Sequence, residues 1–280
     1  MKIYTPLLFL CFLSAVPNLL NAQIVSKKPY NIFHPVPKVQ LRDMETDRPD
    51  VTESPFTVDA GHIQYETDLF KMEREKDELT DQHTVLLNQA NLKIGLTNCT
   101  SLQIGFQTFV LQKENDLETG EVTRSHGVGD MTIRIKQNLI GNDGGNFAIA
   151  VLPYIKFPTA KYTHESKYEG GIIVPMHLTL PGEWNLGSQI EGDRLQDKEG
   201  KQSHTELLQS LTVSHEIIKH LDGIAETYYT YNMKDHHWSN WINAAAQVEV
   251  SDNFKLDVGF NYGLQHDAEK NYFVGTSIRF

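Results

Sequence analysis

Four charged side chains crowd the stretch "TDRPDVTES": Asp47, Arg48, Asp50 and Glu53, with Pro49 among them and Pro55 just beyond. Three carboxylates and one guanidinium at this spacing can satisfy each other in solvent, or they can dock against a charged wall. They could also be asked to hold calcium, but the Gly-bearing turn of a calcium loop is missing, so no metal is expected. A second candidate is "THES", where His164 and Ser166 stand two residues apart and share a face if the chain is extended. Such a pair can act as base and nucleophile once a third group orients the imidazole. Lys167 follows the Ser, and a chain with 12 His makes such coincidences cheaply. His215 in "VSHE" and the histidines of "KDHHW" (234–238) read as a strand residue and a polar turn. No phosphate-binding glycine loop, HExxH helix or cysteine metal cluster is present, and no cofactor is implied. Cys99, flanked by Asn98 and Thr100, reads as a bystander thiol in a turn.

The elements that must position these groups begin with an export signal. Lys2 precedes the apolar run "PLLFLCFL", and "SAVPNLLNA" leads to a small-residue site near Ala22. The expected division is a secretory signal over 1–22, a Pro-rich lead-in over 23–60 and a barrel over 61–280. Removing the signal takes away Lys2 and makes the net charge more negative than −11. A chain this acidic is a poor partner for nucleic acid, which wants a basic surface. No later segment approaches the ~20 apolar residues of a membrane helix, so a membrane would be crossed by strands.

From Gly61 to Phe280 the sequence breaks into twelve segments with apolar residues at every second position. In one, Met131, Ile133, Ile135 and Leu139 oppose Asp130, Thr132, Arg134, Lys136 and Asn138. In another, Leu256, Val258, Phe260, Tyr262 and Leu264 oppose Lys255, Asp257, Gly259 and Asn261. Transmembrane barrel strands need about 9–11 residues in this rhythm. Connections after even-numbered segments are short ("TNCT", "PGE", "SDN"), whereas several after odd-numbered ones are long and charged ("EREKDELTD", "KENDLETGEVTRSHGVG"). That parity predicts an all-β, antiparallel up-and-down barrel of about twelve strands with both ends periplasmic. Tyr229, Tyr231, Trp184, Trp238, Trp241, Tyr272 and Phe280 are expected in the interfacial girdles. The last strand, "NYFVGTSIRF", alternates to a terminal aromatic.

This phase turns a mixed set of charges inward. Glu66, Arg134, Lys156, Glu191, Glu226 and Asp257 are the candidate lumen and selectivity residues. Barrels of this size fall between eight-strand barrels filled by side chains and open sixteen-strand porins, so a narrow or plugged passage is expected. The five prolines at 29, 35, 37, 49 and 55 keep the lead-in out of any ladder. Part of it is expected to tuck into the pore, where the polar motif would fix or gate the floor.

Residues 46–67, "TDRPDVTESPFTVDAGHIQYET", resemble the mature N-termini of a family of bacterial outer-membrane transporters known as the MetA-pathway of phenol degradation. The positions that carry it are Asp47, Arg48, Pro49, Asp50, Thr52, Glu53, Ser54, Pro55, Gly61, Gln64 and Glu66. "GVGDMTIRIKQNL" and "AIAVLPYIKFPTA" are similar to later strands of that family. The resemblance implies a Gram-negative outer-membrane barrel embedded in lipid that passes a small solute, aromatic or hydrophobic ones included. Phe280 resembles the terminal signal read by the outer-membrane assembly machinery. Two alternatives stand beside this. The HxS spacing of His164 and Ser166 resembles outer-membrane lipid hydrolases, and a binding or structural barrel without a through-path would look the same.

Overall fold

The computed structural model describes residues 29–163, 167–197 and 202–280. The expected signal and the His164–Ser166 pair therefore lie outside the described residues. Thirteen strands follow in order: β1 (Ile63–Lys76), β2 (Thr80–Gly95), β3 (Thr100–Asp116), β4 (Val122–Gly127), β5 (Met131–Ile140), β6 (Phe147–Phe157), β7 (Glu169–Leu180), β8 (Trp184–Gln196), β9 (Ser203–Ile218), β10 (Leu221–Asn232), β11 (His237–Ser251), β12 (Phe254–Gly263) and β13 (Lys270–Arg279). Each pairs antiparallel with its sequence neighbours, except that β4 pairs with β3 alone and β5 pairs with β3 in its place. β1 meets β13 from Gln64 opposite Arg279 to Arg74 opposite Lys270, which closes the ring. The result is a closed antiparallel barrel of twelve strands with β4 as an extra strand. Closure leaves no unpaired sheet edge between first and last strands.

The alternation decides which face is which. Ile135, Ile155, Ile172, Leu207, Val258 and Val274 are exposed on the outside, on six different strands. Gln64, Gln103, Gln189, Ser210, Asn243 and Ser277 are buried on the inside. A wet-inside, greasy-outside ring inverts the usual soluble arrangement, and it is the pattern a β-barrel needs in lipid. Tyr229, Tyr231 and Trp238 cluster on the outer face, with ring centroids 5.2 and 4.4 Å apart along Tyr229–Trp238–Tyr231. His215 lies outside too, stacked 4.4 Å from Trp184.

Three expectations need correction. The connection read over 113–129 contains β4, which pairs back on the outer part of β3 from Val122–Asn115 to Gly127–Val110. The charged run 73–81 is mostly ladder, because β1 and β2 run on to Lys76 and Thr80 and leave three residues between them. Strands β1 to β3 thus have 14, 16 and 17 residues and outrun the thickness a bilayer requires. Trp241 does not join a girdle. It sits inside, stacked on buried Tyr228 at 4.8 Å, because its register places it opposite that inward residue. A register shift at Asp68/Phe70, aligned with skipped Asn88 and Thr108, also exchanges the faces of β1–β3 beyond that row and turns Val110 inward.

Candidate functional site

The segment ahead of β1 folds into the lumen. A chain with no ladder must still satisfy its backbone N–H groups when buried. Here the wall supplies the acceptors. Asp47 N–H donates to Glu66 (3.1 Å), Val51 and Thr52 N–H to the two oxygens of Glu226 (2.9 and 2.8 Å), Glu53 N–H to Gln189 Oε1 (2.7 Å) and Thr57 N–H to Asn142 Oδ1 (3.0 Å). Inward carboxylates and amides on the strands, with Asn142 in the turn between β5 and β6, thus do for this segment what a neighbouring strand would do elsewhere.

Each charge of the motif also finds a counter-charge on the wall, except one. Asp47 lies between two buried lysines, 2.5 Å from Lys93 on β2 and 2.5 Å from Lys136 on β5. Burial would raise its carboxyl, but the two ammoniums overcome that and hold it well below the ordinary range. Arg48 forks between Asp257 on β12 (2.6 Å) and Asp68 on β1 (2.7 Å). It also stands over the Phe273 ring at 5.6 Å. Gly275 makes room for it, since a Cβ there would overlap the guanidinium. Glu53 pairs with Arg134 on β5. Asp50 has no cation among the described residues. Burial and the neighbouring Glu226 push its carboxyl well above the ordinary carboxylate value.

The six inward candidates all lie on the lumen side, and the segment engages four of them directly. Glu66 pairs with Lys93 and receives the Asp47 amide, Arg134 holds Glu53, Glu226 holds Val51 and Thr52, and Asp257 holds Arg48. Glu191 is one step removed, accepting from Gln189 at 2.6 Å. Lys156 stands apart, bridging Asp130 (3.3 Å) and Glu169 (2.5 Å) on the wall itself. Several partners escaped the sequence reading as site residues. Gln103 donates to Asp47 (3.2 Å), Asn138 to Pro55 O (2.9 Å), Lys136 to Ser54 O (2.6 Å), and Gln247 to Arg48 O (3.3 Å). Phe56 packs edge-on to His177 at 5.3 Å. These residues share inward phase in the sequence, but only ring closure says which of them face the segment.

Above the segment, toward the long-loop end, a cavity of about 330 Å³ remains. Asp50, Asp68, Asp130, Arg134, Lys156 and the stretch of β3 at Gly105–Gln107 line it. Among the described residues no group of His, Cys, Asp and Glu is arranged to hold a metal ion. The calcium reading of Asp47, Asp50 and Glu53 fails because Lys93, Lys136 and Arg134 already occupy two of the three carboxylates.

The profile of the family described as "Putative MetA-pathway of phenol degradation" matches residues 46–280. Among solved structures the chain is similar to the COG4313 outer membrane channel from Pseudomonas putida F1, at 12% identity and TM-score 0.56, over 84% of this chain and 100% of that one. It is similar to the NanC porin at 11% identity and TM-score 0.50, over 76% and 98%. The transport unit of the autotransporter AIDA-I from Escherichia coli gives 10% identity and TM-score 0.50, over 87% and 94%. No curated protein sequence matches. At these identities the structural likeness concerns the fold, which is the porin-like barrel built above.

Proposed function

We propose, from the premise that this chain belongs to the MetA-pathway of phenol degradation family, that it is an outer-membrane channel. It gives a small solute passive passage, and its own N-terminal segment keeps that passage narrow or shut. One observation carries this reading: a closed ring with apolar side chains outside encloses a polar lumen that still holds a cavity of about 330 Å³. A volume at the low end of ligand pockets suits a small molecule. Inward-facing Tyr228, Trp241 and Phe273 offer rings inside for an aromatic solute. Covalent chemistry is not required of any of these groups.

The short-turn end, with Phe280 and the N-terminal segment, would face the periplasm. Outer-membrane lipid would cover the apolar belt, and Phe280 would serve assembly. The test joins membrane fractionation and heat-modifiable gel migration with planar-bilayer recording of refolded protein. Outer-membrane recovery, a fast-migrating unboiled form and discrete conductance steps are expected. Recovery in the aqueous periplasmic extract would defeat the reading.

A second reading, a barrel without a through-path, draws on the way the segment bonds to strands from β1 to β13. Complete silence in bilayers, under varied voltage and solutes and with the segment removed, would favour it.

A further inference from the structure

The inward faces of β10, β11 and β12 carry more hydrogen-bond acceptors than donors. Glu226 receives Val51 N–H, Thr52 N–H, the Thr52 hydroxyl (2.6 Å) and Asn243 Nδ2 (3.0 Å). Among the described residues neither it nor the facing Asp50 has a cation. Asn243 and Asn261 stand directly opposite each other on β11 and β12. They are 4% and 7% exposed, and the Oδ1 of each has no donor. Their Nδ2 groups are spent on Glu226 and on the Tyr228 hydroxyl (2.5 Å). One step toward the loop end, Tyr228 and Trp241 stack in parallel at 4.8 Å.

We infer that this cluster is a seat for a small organic cation, with an ammonium group among Asp50, Glu226, Asn243 Oδ1 and Asn261 Oδ1 and an apolar part against the Tyr228–Trp241 pair. The inference deepens the channel reading, on which it rests for the solute's access, by naming the class of solute. Each unsatisfied acceptor is a buried polar group short of a partner. An ammonium brings three donors and the missing charge, and aromatic faces favour a cation over an anion. A carboxylate solute would meet two acids and two carbonyl oxygens and be turned away. Asp50, its carboxyl raised by burial and by Glu226, gives up its proton to the solvent as the ammonium arrives. Binding should therefore weaken in acid.

The test uses the full chain in detergent, with Trp184 and Trp238 replaced by Phe so that Trp241 is the remaining indole among the 3 Trp. Titration with 2-phenylethylammonium chloride should change Trp241 emission saturably, and 3-phenylpropionate should not. Asp50→Asn should shift the midpoint about tenfold or more, the scale of one charge-assisted contact. Equal responses to the two probes, or an Asp50→Asn midpoint unchanged, would overturn the proposal. Bilayer recording across a KCl gradient separates the two readings. Clear steps with a reversal potential toward chloride overturn the cation seat and keep the channel. Silence alongside saturable ammonium binding overturns the channel and keeps the seat.

Discussion

Two regions of this molecule are held by different physics. The wall is a continuous ladder in which each strand is fixed by its neighbours through backbone bonds, and its register follows from side chains that must face lipid or water. The segment of residues 29–62 has few backbone bonds to the wall, chiefly near its ends, at Ile32–Leu96, Gly61–Gly95 and His62–Gly95. Between those points it is held by side chains: carboxylates that cap its amides and ion pairs that reach across the lumen. A ladder fails as a whole, whereas a set of polar contacts can be released while the ladder stays. The comparison teaches that the barrel is held as one unit, whereas the segment is held by contacts that can be released separately, which is what the proposed narrowing of the passage requires.

Replacing residues 43–58 by a Gly/Ser linker puts that division to its hardest test. We expect a several-fold larger conductance step from a barrel that still migrates fast before boiling. A barrel that no longer folds would show that the segment belongs to the scaffold. Next in size is Asp47→Ala, which leaves Lys93 and Lys136 as buried ammoniums short of their shared partner. Breaking a buried pair this way costs about 3–5 kcal/mol, read as a lower denaturation midpoint or early proteolysis of the segment. Arg48→Lys keeps the charge but loses the fork between Asp257 and Asp68, at about 1.5–3 kcal/mol of docking. Open events in bilayers should become more frequent, and Gly275→Ala should imitate the effect by pushing Arg48 off the wall.

A pH series sharpens the comparison further. A carboxyl raised in the docked state, as Asp50 is, favours docking at low pH, and this contribution fades as pH climbs above the ordinary carboxylate value of 3.8. The lowered Asp47 works in the opposite direction, favouring docking above 3.8 and losing that effect only as pH falls. From mild acid to neutrality Asp50 therefore leads, joined by Glu53, whose carboxyl burial also raises, and open probability should rise with pH. Asp50→Asn should make the curve shallower, and Asp50→Asn with Glu53→Gln shallower still. The smallest effect belongs to Cys99→Ser, an exposed thiol in a turn, with stability unchanged within about 0.5 kcal/mol. Wild-type Cys99 is more useful as a label. An impermeant maleimide should reach it only after the outer membrane is breached, which fixes the short-turn end on the periplasmic side.

Most of the wall was legible because period-2 alternation is a local signal. Ile133 and Ile135 announce their face without knowledge of any other strand, and the glycines and asparagines of the tight turns mark where each strand ends. The exceptions follow from non-local causes. β4 hides in a polar stretch because, being outside the bilayer, it owes nothing to lipid and need not alternate in hydrophobicity. Val110 and the outer half of β3 change face because of a shift shared by three strands, which no single strand records. Trp241 looks like a girdle residue until its partner Tyr228 places it inside. The inward charges were readable one at a time, and the prolines showed that residues before β1 pair with no strand. That Asp47 meets Lys93 and Lys136, or Arg48 meets Asp257, depends on separations in sequence as long as 209 residues, and only closure brings them together.

The order of synthesis gives that last feature a consequence. Residues 47–52 leave the ribosome before every strand, yet Arg48 and Val51 bind Asp257 and Glu226, close to the other terminus. Half the receptor does not exist until β13 has met β1, so a nascent molecule must wait with its leading segment unlodged. Lodging then reports that the cylinder is complete, and a variant stalled before closure should show the segment still open to protease.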